Sequence, residues 1–427
     1  MIALFPHCGF LSETSRMVQI YKALRAKGAA ARIATHGGAH ERLLRQEGID
    51  YDLIEPHMDA ARGQRFVMSN VGIGDPQQSM YDADEMRAHV AAEAAYFARH
   101  GVTAAVTGFT VTALLSTRVA GIPLIVEHAG AFLPPLFERN LLPASAVRAP
   151  PLLRVLPRPA ARWLQNKGMP KLKLYLSGFN ALAAELGVAP IPSFPALILG
   201  DLVLVTEAPE VYGVSEQEMK AWRPRDGAYW PTTRFEYTGP IFAEFDLDVP
   251  AAVEEALGRP GPHVYVALTS VTADVVRRVV RGVAASGANV IVAGTVHDLA
   301  DLAGPTVTVG GVLPSHRIMP RVDLAVLTGG QGSLQCAMAA GLPAIALPLH
   351  LEQESNVHFL EERGAVRSLP VASADAAKLT PMVGEMLAQP RHRAAARLIQ
   401  AAYAGRDGAA LSAEAILNHV SARSLAA

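Results

Sequence analysis

Residues Leu327–Asn356 read LTGGQGSLQCAMAAGLPAIALPLHLEQESN, and no other stretch limits the possible folds of this chain as tightly. An apolar strand ends in a glycine turn, a helix opens with polar residues, and a second apolar strand precedes the acidic–amide pair Glu352–Gln353. Strands that alternate with helices belong in a parallel sheet covered on both faces. The turn also has chemical meaning. A helix start leaves backbone N–H groups without partners and carries partial positive charge, so glycines there admit phosphate oxygens to the backbone.

The same alternation runs through the chain. Strands are predicted at Ile2–Phe5, Ala30–Thr35, Asp52–Glu55, Ala104–Thr107, Leu124–Val126 and Leu202–Thr206, with helices at Arg16–Lys27 and Met86–Arg99. Between Pro134 and Pro195 the pattern fails, and this proline- and leucine-rich stretch reads as short helices outside the sheet. A fresh series follows at Val264–Leu268, Asn289–Ala293, Thr306–Val309, Leu324–Leu327 and Ala344–Leu347, then helices at Ala376–Leu387, Arg391–Tyr403 and Leu411–Val420. A chain of 427 residues exceeds one ordinary core. We therefore expect an α/β protein of two Rossmann-like domains, 1–240 and 241–406, whose parallel sheets face across a cleft. Tyr237–Pro250 reads as the linker, and residues 407–427 as a helix packing back towards the first domain.

Composition narrows the function. Hydrophobic residues make up 50% and charged residues 18%, with a net charge of -1, so general affinity for nucleic acid is not expected. Cys8 and Cys336 form no CxxC pair, which suits a reduced, cytoplasmic setting. No signal peptide is apparent, and no apolar run reaches the roughly 20 residues that span a bilayer. The basic residues from Arg148 to Lys173 allow contact with an anionic membrane surface, although a solvated helical face explains them more simply.

The order of glycine turn, helix, strand and Glu-Gln pair resembles the nucleotide-sugar signature of the family 1 glycosyltransferases of the UDP-glycosyltransferase-like, macrolide and antibiotic type, which have the GT-B fold. The resemblance implies a donor site. A base would stack over Val312-Leu313-Pro314, the turn carrying Gly330, Gly332 and Ser333 would hold a diphosphate, and Glu352 and Gln353 would meet hexose hydroxyls. Ser270, after the first strand of the second series, and Asn356 fall at the same edge. Thr328 stands where the family has a phosphate-contacting histidine. A neutral hydroxyl bond contributes about 0.5–1.5 kcal/mol and a charged one about twice that, so weaker donor binding is expected unless His316 or Arg317 substitutes.

Sugar transfer needs a base facing the donor. The family's histidine at the start of the first helix is Glu13 here, and its partner aspartate falls near Gly108. Glu13 and His7 are the expected catalytic residues. A carboxyl near its ordinary value of about 4.3 is a weak base unless burial raises it, whereas histidine titrates in a more useful range. His128 is a third possibility if Glu127 turns inward to orient it. Phe66, Met80, His128 and Phe132 are expected to line an acceptor site for a hydrophobic small molecule such as a secondary metabolite.

The leading expectation is a metal-independent, inverting hexosyltransferase that uses a UDP- or dTDP-sugar as co-substrate and no cofactor, acting as a monomer or homodimer. No DxD pair suited to a divalent ion stands out. The competing readings are a non-catalytic nucleotide-sugar binder or helper of a partner enzyme, a sugar-nucleotide epimerase, and a lipid-acceptor transferase of the same fold.

Overall fold

Short runs of β-branched and small apolar residues form the strands, and two parallel sheets result. The computed structural model describes residues 1–427 except 71–79, 129, 131–132, 146–150, 226, 243–246, 296 and 427. The first sheet contains β1 (Ile2–Leu4), β2 (Ala31–Thr35), β3 (Tyr51–Leu53), β4 (Ala104–Thr107), β5 (Leu124–His128), β6 (Leu202–Val205) and β7 (Arg234–Tyr237), in the order β3-β2-β1-β4-β5-β6-β7. The second contains β8 (His263–Ala267), β9 (Asn289–Ala293), β10 (Val307–Gly310), β11 (Leu324–Leu327), β12 (Ala344–Ala346) and β13 (Val366–Ser368), in the order β10-β9-β8-β11-β12-β13. Every strand of β4, β6, β9 and β11 is buried along its whole length, as central parallel strands require.

Two strands lie beyond the sequence expectation. β7 and β13 are the far edges of their sheets and have little apolar character, RFEY and VRS. Edge strands bury one side only, so backbone pairing with β6 and β12 suffices to hold them. The first helix spans Leu11–Ala26 and starts five residues before the predicted Arg16. Its polar opening, Ser12 to Ser15, hid the helical period. That shift puts Glu13 in the first turn.

Between Pro134 and Leu197 short helices replace the strand–helix alternation, among them Pro134–Phe137, Arg158–Gly168 and Leu176–Glu185. Arg162 in this stretch donates to the carbonyls of Asn140 and Leu141, so part of its charge serves local structure. The final helix, Gly408–Ala426, returns to the first domain and packs on helix Leu11–Ala26 and β6. Ala413, Ala415 and Ile416 complete a buried layer with Leu4, Met17, Ile20 and Leu24. The returning chain touches the outgoing one closely. A Cβ added at Gly408 would lie 2.2 Å from the Pro240 carbonyl oxygen. Among the described residues no helix is long and apolar enough to cross a membrane.

Candidate active site

Both sheets reverse direction of build beside their first strand, between β1 and β4 and between β8 and β11. Crevices form at such switch points, beyond the carboxyl ends of the strands. In the first domain the crevice holds Glu13. Its Oε1 accepts the N–H groups of Gly108 at 3.0 Å and Phe109 at 3.1 Å, just past β4. Gly108 is needed there, because a Cβ would lie 2.3 Å from Glu13 Cγ. The carboxylate thus fills the space that a side chain at position 108 would occupy. Its second oxygen, Oε2, is buried without a hydrogen-bond partner. Burial, reinforced by the negative Glu127, pushes the Glu13 carboxyl up to about 8, against the opposing pull of the Phe109 N–H, Arg16 and the Gly108 N–H.

His7 follows β1 and is also buried. Its Nδ1 accepts the Gly9 N–H at 3.2 Å, which leaves the proton of the neutral ring on Nε2. Nε2 is buried without a partner, and burial lowers the ring to about 3. His7 therefore offers a hydrogen-bond donor, while Glu13 offers an acceptor. The imidazole stacks on Phe66 at 4.2 Å and 23°.

The acceptor residues expected from sequence divide. Phe66 and Met80 are wholly buried, and Phe66 packs against Tyr81 as well as His7. His128 is half-buried at the end of β5, and Phe132 lies outside the described residues. Glu127 turns to the opposite side from His128, as neighbours in a strand do. It pairs with Arg16 (Nε to Oε1, 2.7 Å) and accepts the Thr206 hydroxyl at 2.8 Å. Phe10 and Phe109, which sequence reasoning missed, meet edge to face at 5.4 Å and stay partly exposed beside Glu13. The available signal was positional: each follows the carboxyl end of a strand.

Across the cleft, helix Gln331–Ala339 begins at Gly330 with no side-chain cap. Gly329 has φ 91, and a Cβ there would lie 2.7 Å from Val357. Glycine alone satisfies both conditions without strain. A Cβ on Gly332 would come 3.8 Å from Ser12 Cβ, so the starts of the two helices, one from each domain, face each other directly. Ser333 Oγ donates to the Gly330 carbonyl at 3.0 Å, and Thr328 is buried under the turn.

Glu352 and Gln353 occupy the first turn of helix Leu351–Glu362. Gln353 Oε1 accepts the Leu349 N–H at 2.9 Å, and Asn356 Nδ2 reaches the Gly329 carbonyl at 3.4 Å and Glu352 Oε1 at 3.5 Å. Asn356 thereby ties the glycine turn to Glu352. Val312 is 52% exposed above buried Leu313, and Ser270 is exposed in the turn after β8. Arg317 pairs with Asp248 at 3.3 Å. The expected donor residues thus lie at one end of the sheet, beyond the carboxyl ends of β8, β10, β11 and β12.

Sequence reasoning also missed the seam between the domains. Gln331 and Gln335 donate to the Thr206 carbonyl at 3.1 and 2.6 Å, and Gln335 also reaches Glu207 Oε2 at 3.1 Å. Burial raises the Glu207 carboxyl to about 7. A cavity of about 10 Å³, bordered by Glu207, Tyr212, Gln335, Asn356 and Tyr403, lies against this seam. From the insertion, Ser145 Oγ donates to Glu354 Oε2 at 2.5 Å. Among the described residues no group of three or more His, Cys, Asp or Glu is placed to hold a metal ion.

Residues 277–410 match the model of the erythromycin biosynthesis protein CIII-like C-terminal domain. A PGL/p-HBAD biosynthesis glycosyltransferase of Mycobacterium tuberculosis is 30% identical over 95 residues, a match spanning 22% of this chain and 22% of that protein. Similar solved structures extend over nearly the whole chain. The glycosyltransferase of kitacinnamycin has a TM-score of 0.67 at 17% identity, covering 98% of both chains. Glycosyltransferase VinC, solved with dTDP, gives 0.66 at 16%, covering 99% of this chain and 100% of that one. Phytolacca americana UGT2, solved with UDP-2-fluoroglucose and pterostilbene, gives 0.68 at 12%, covering 98% and 99%. The chain thus has the GT-B fold of these solved glycosyltransferases, and residues 277–410 of its second domain match the erythromycin biosynthesis protein CIII-like C-terminal domain.

Proposed function

We propose that this protein is an inverting glycosyltransferase that moves a hexose from a UDP- or dTDP-sugar to a hydroxyl of a hydrophobic small molecule. One observation carries the reading: the buried, half-satisfied carboxylate of Glu13 stands opposite the uncapped helix start at Gly330–Ser333. In the step we assign, Glu13 Oε2 takes the acceptor proton as the acceptor oxygen attacks the anomeric carbon. The bond from that carbon to the phosphate oxygen breaks, and its electron pair leaves with the nucleoside diphosphate. Back-side attack inverts the anomeric centre. N–H groups at Gly330–Ser333 carry the leaving charge, as fixed donors do at low cost in reorganisation.

A carboxyl raised by burial is a better base than an ordinary one. Its proton affinity approaches working pH, and the two N–H bonds to Oε1 leave Oε2 to react. Phe10 and Phe109 beside it suit a flat apolar acceptor. Glu352, Gln353 and Asn356 are assigned to the hexose, and Val312 to the base. No metal takes part in this step. The test is transfer from a panel of UDP- and dTDP-sugars to aromatic and polyketide-like acceptors, with Glu13→Gln alongside and a chelator as a separate arm. Parent-level transfer by Glu13→Gln would remove the assigned base, and loss of transfer in chelator would remove the metal-free step.

A further inference from the structure

A buried line of polar groups runs from the donor-side helix towards Glu13. Gln331, in the first turn of that helix, places Nε2 3.1 Å from the Thr206 carbonyl and 3.3 Å from the Thr206 hydroxyl. That hydroxyl donates to Glu127 Oε1 at 2.8 Å, and Arg16 Nε lies 2.7 Å from the same oxygen. Arg16 follows Glu13 by about one turn of helix Leu11–Ala26. Arg16, Glu127, Thr206 and Gln331 are all buried. A hydroxyl has one proton, which Thr206 gives to Glu127, so its lone pairs receive the Gln331 amide. The hydrogen bonds run from Gln331 through Thr206 to Glu127, each polarising the next, and the Arg16 ion pair meets them at Glu127 Oε1 from the other side.

We propose that Glu127 and Thr206 are positioning residues through which the seating of helix Gln331–Ala339 sets the charge state of Glu13. The proposal rests on the reading of Glu13 as the base. Glu127 and Arg16 act on Glu13 with opposite signs. An ionised Glu127 favours the protonated Glu13, and Arg16 favours the ionised one. Both are held on a single oxygen, so the strength of the Thr206 bond decides how far Arg16 neutralises Glu127. The remaining groups around Glu13 do not offset this. The Gly108 and Phe109 N–H groups are fixed backbone, and burial pushes the Cys8 thiol up to about 12. His7 stays neutral, and Ser12 and Gly332 on the facing helix starts carry no charge.

The test follows the Glu13 carboxyl by NMR in the full chain carrying carboxyl-13C glutamate, with Glu13→Gln identifying the signal. In Glu127→Gln the Glu13 midpoint should fall by about one pH unit or more, because a repelling charge is lost and Arg16 is freed. Thr206→Val keeps the carbonyl that Gln331 and Gln335 use, and should move the midpoint by a smaller amount. The acid limb of kcat against pH should follow the same shifts, with donor KM changed by less than about threefold. A midpoint unmoved in both variants, or a uniform loss of kcat with no shifted limb, overturns the proposal. Should Glu127→Gln fail to fold with Arg16 unpaired, Thr206→Val is near-isosteric and decides the matter alone. A moving midpoint with no sugar transferred by the parent chain would leave the coupling standing and sink the transferase reading. Sugar transfer with a fixed midpoint would do the reverse.

Discussion

The two switch points of this molecule share a topology and differ in chemistry. Beside β1 and β4 the crevice is lined by aromatic rings and holds one buried carboxylate and one buried imidazole, each with an unpartnered atom. Beside β8 and β11 the crevice is edged by glycines, and its polar groups are backbone N–H, small hydroxyls and amides. Low dielectric surroundings alter proton affinity most, whereas a half-buried helix start changes charge stabilisation with no titration at all. In the proposed reaction the first crevice would be the dry site of proton transfer and the second the polar site of the leaving anion.

The sharpest way to break this comparison is to strip the first crevice of its acceptor oxygen. Glu13→Gln should lower kcat by about 10²–10⁴-fold, the range that a general base supplies, while nucleotide still raises the melting temperature. Gly108→Ala should act in the same sense, because the added methyl collides with Glu13 Cγ at 2.3 Å and must displace the carboxylate. Steady-state rates beside nucleotide-induced thermal shifts check both, and a Gly108→Ala enzyme with parental kcat would show that the carboxylate's place is immaterial.

Effects on the second crevice should be smaller and confined to the donor. Thr328→His restores a charged phosphate donor and should tighten nucleotide diphosphate by about tenfold, roughly 1.4 kcal/mol, with weaker binding at higher pH as the ring loses its proton. Calorimetric titration with UDP and dTDP at two pH values measures this. Unchanged affinity would mean that the turn already carries the phosphate charge.

A further effect concerns stability and needs no substrate. Glu13 has a folded-state value raised to about 8 from 4.5, so the folded chain binds the extra proton between these values. Stability should therefore fall as pH rises from about 4.5 to 8, and stay level above that. Glu13→Gln should flatten this slope in a series of melting curves. An equal slope in parent and variant would place the titration elsewhere, with Glu207 the next group to change, since burial raises it to about 7.

Much of the architecture could be read before the structure because central parallel strands are buried on both faces and so appear as unbroken apolar runs. β7 and β13 escaped, since an edge strand needs no such run. The glycine turn before helix Gln331–Ala339 was readable because glycine, helix start and the next strand lie within thirty residues. Glu352 and Gln353 were readable as a pair but not as a helix start, because the preceding His350 and Pro348 read as loop. The contact of Gln331 with Thr206 joins residues 125 apart. No local period reports such a pairing. Glu13 was singled out by the resemblance, which sets it where the family has a histidine, yet its anchoring by two backbone N–H groups depends on the empty side-chain position at Gly108, which composition does not reveal.

The close approach of Gly408 to Gly239 and Pro240 has a mechanical consequence. The polypeptide passes between the domains twice, and the passages lie side by side rather than at opposite ends of the cleft. Two tethers set apart would lock the halves together. Two tethers at one spot constrain the halves as a single pivot would, and leave the far rim of the cleft the part that the chain restrains least. Arg406, whose side chain rests on Gly239, ties this spot to the first domain by pairing with Glu216 at 2.9 Å. Whatever angle the halves take, the backbone constrains it at one point only.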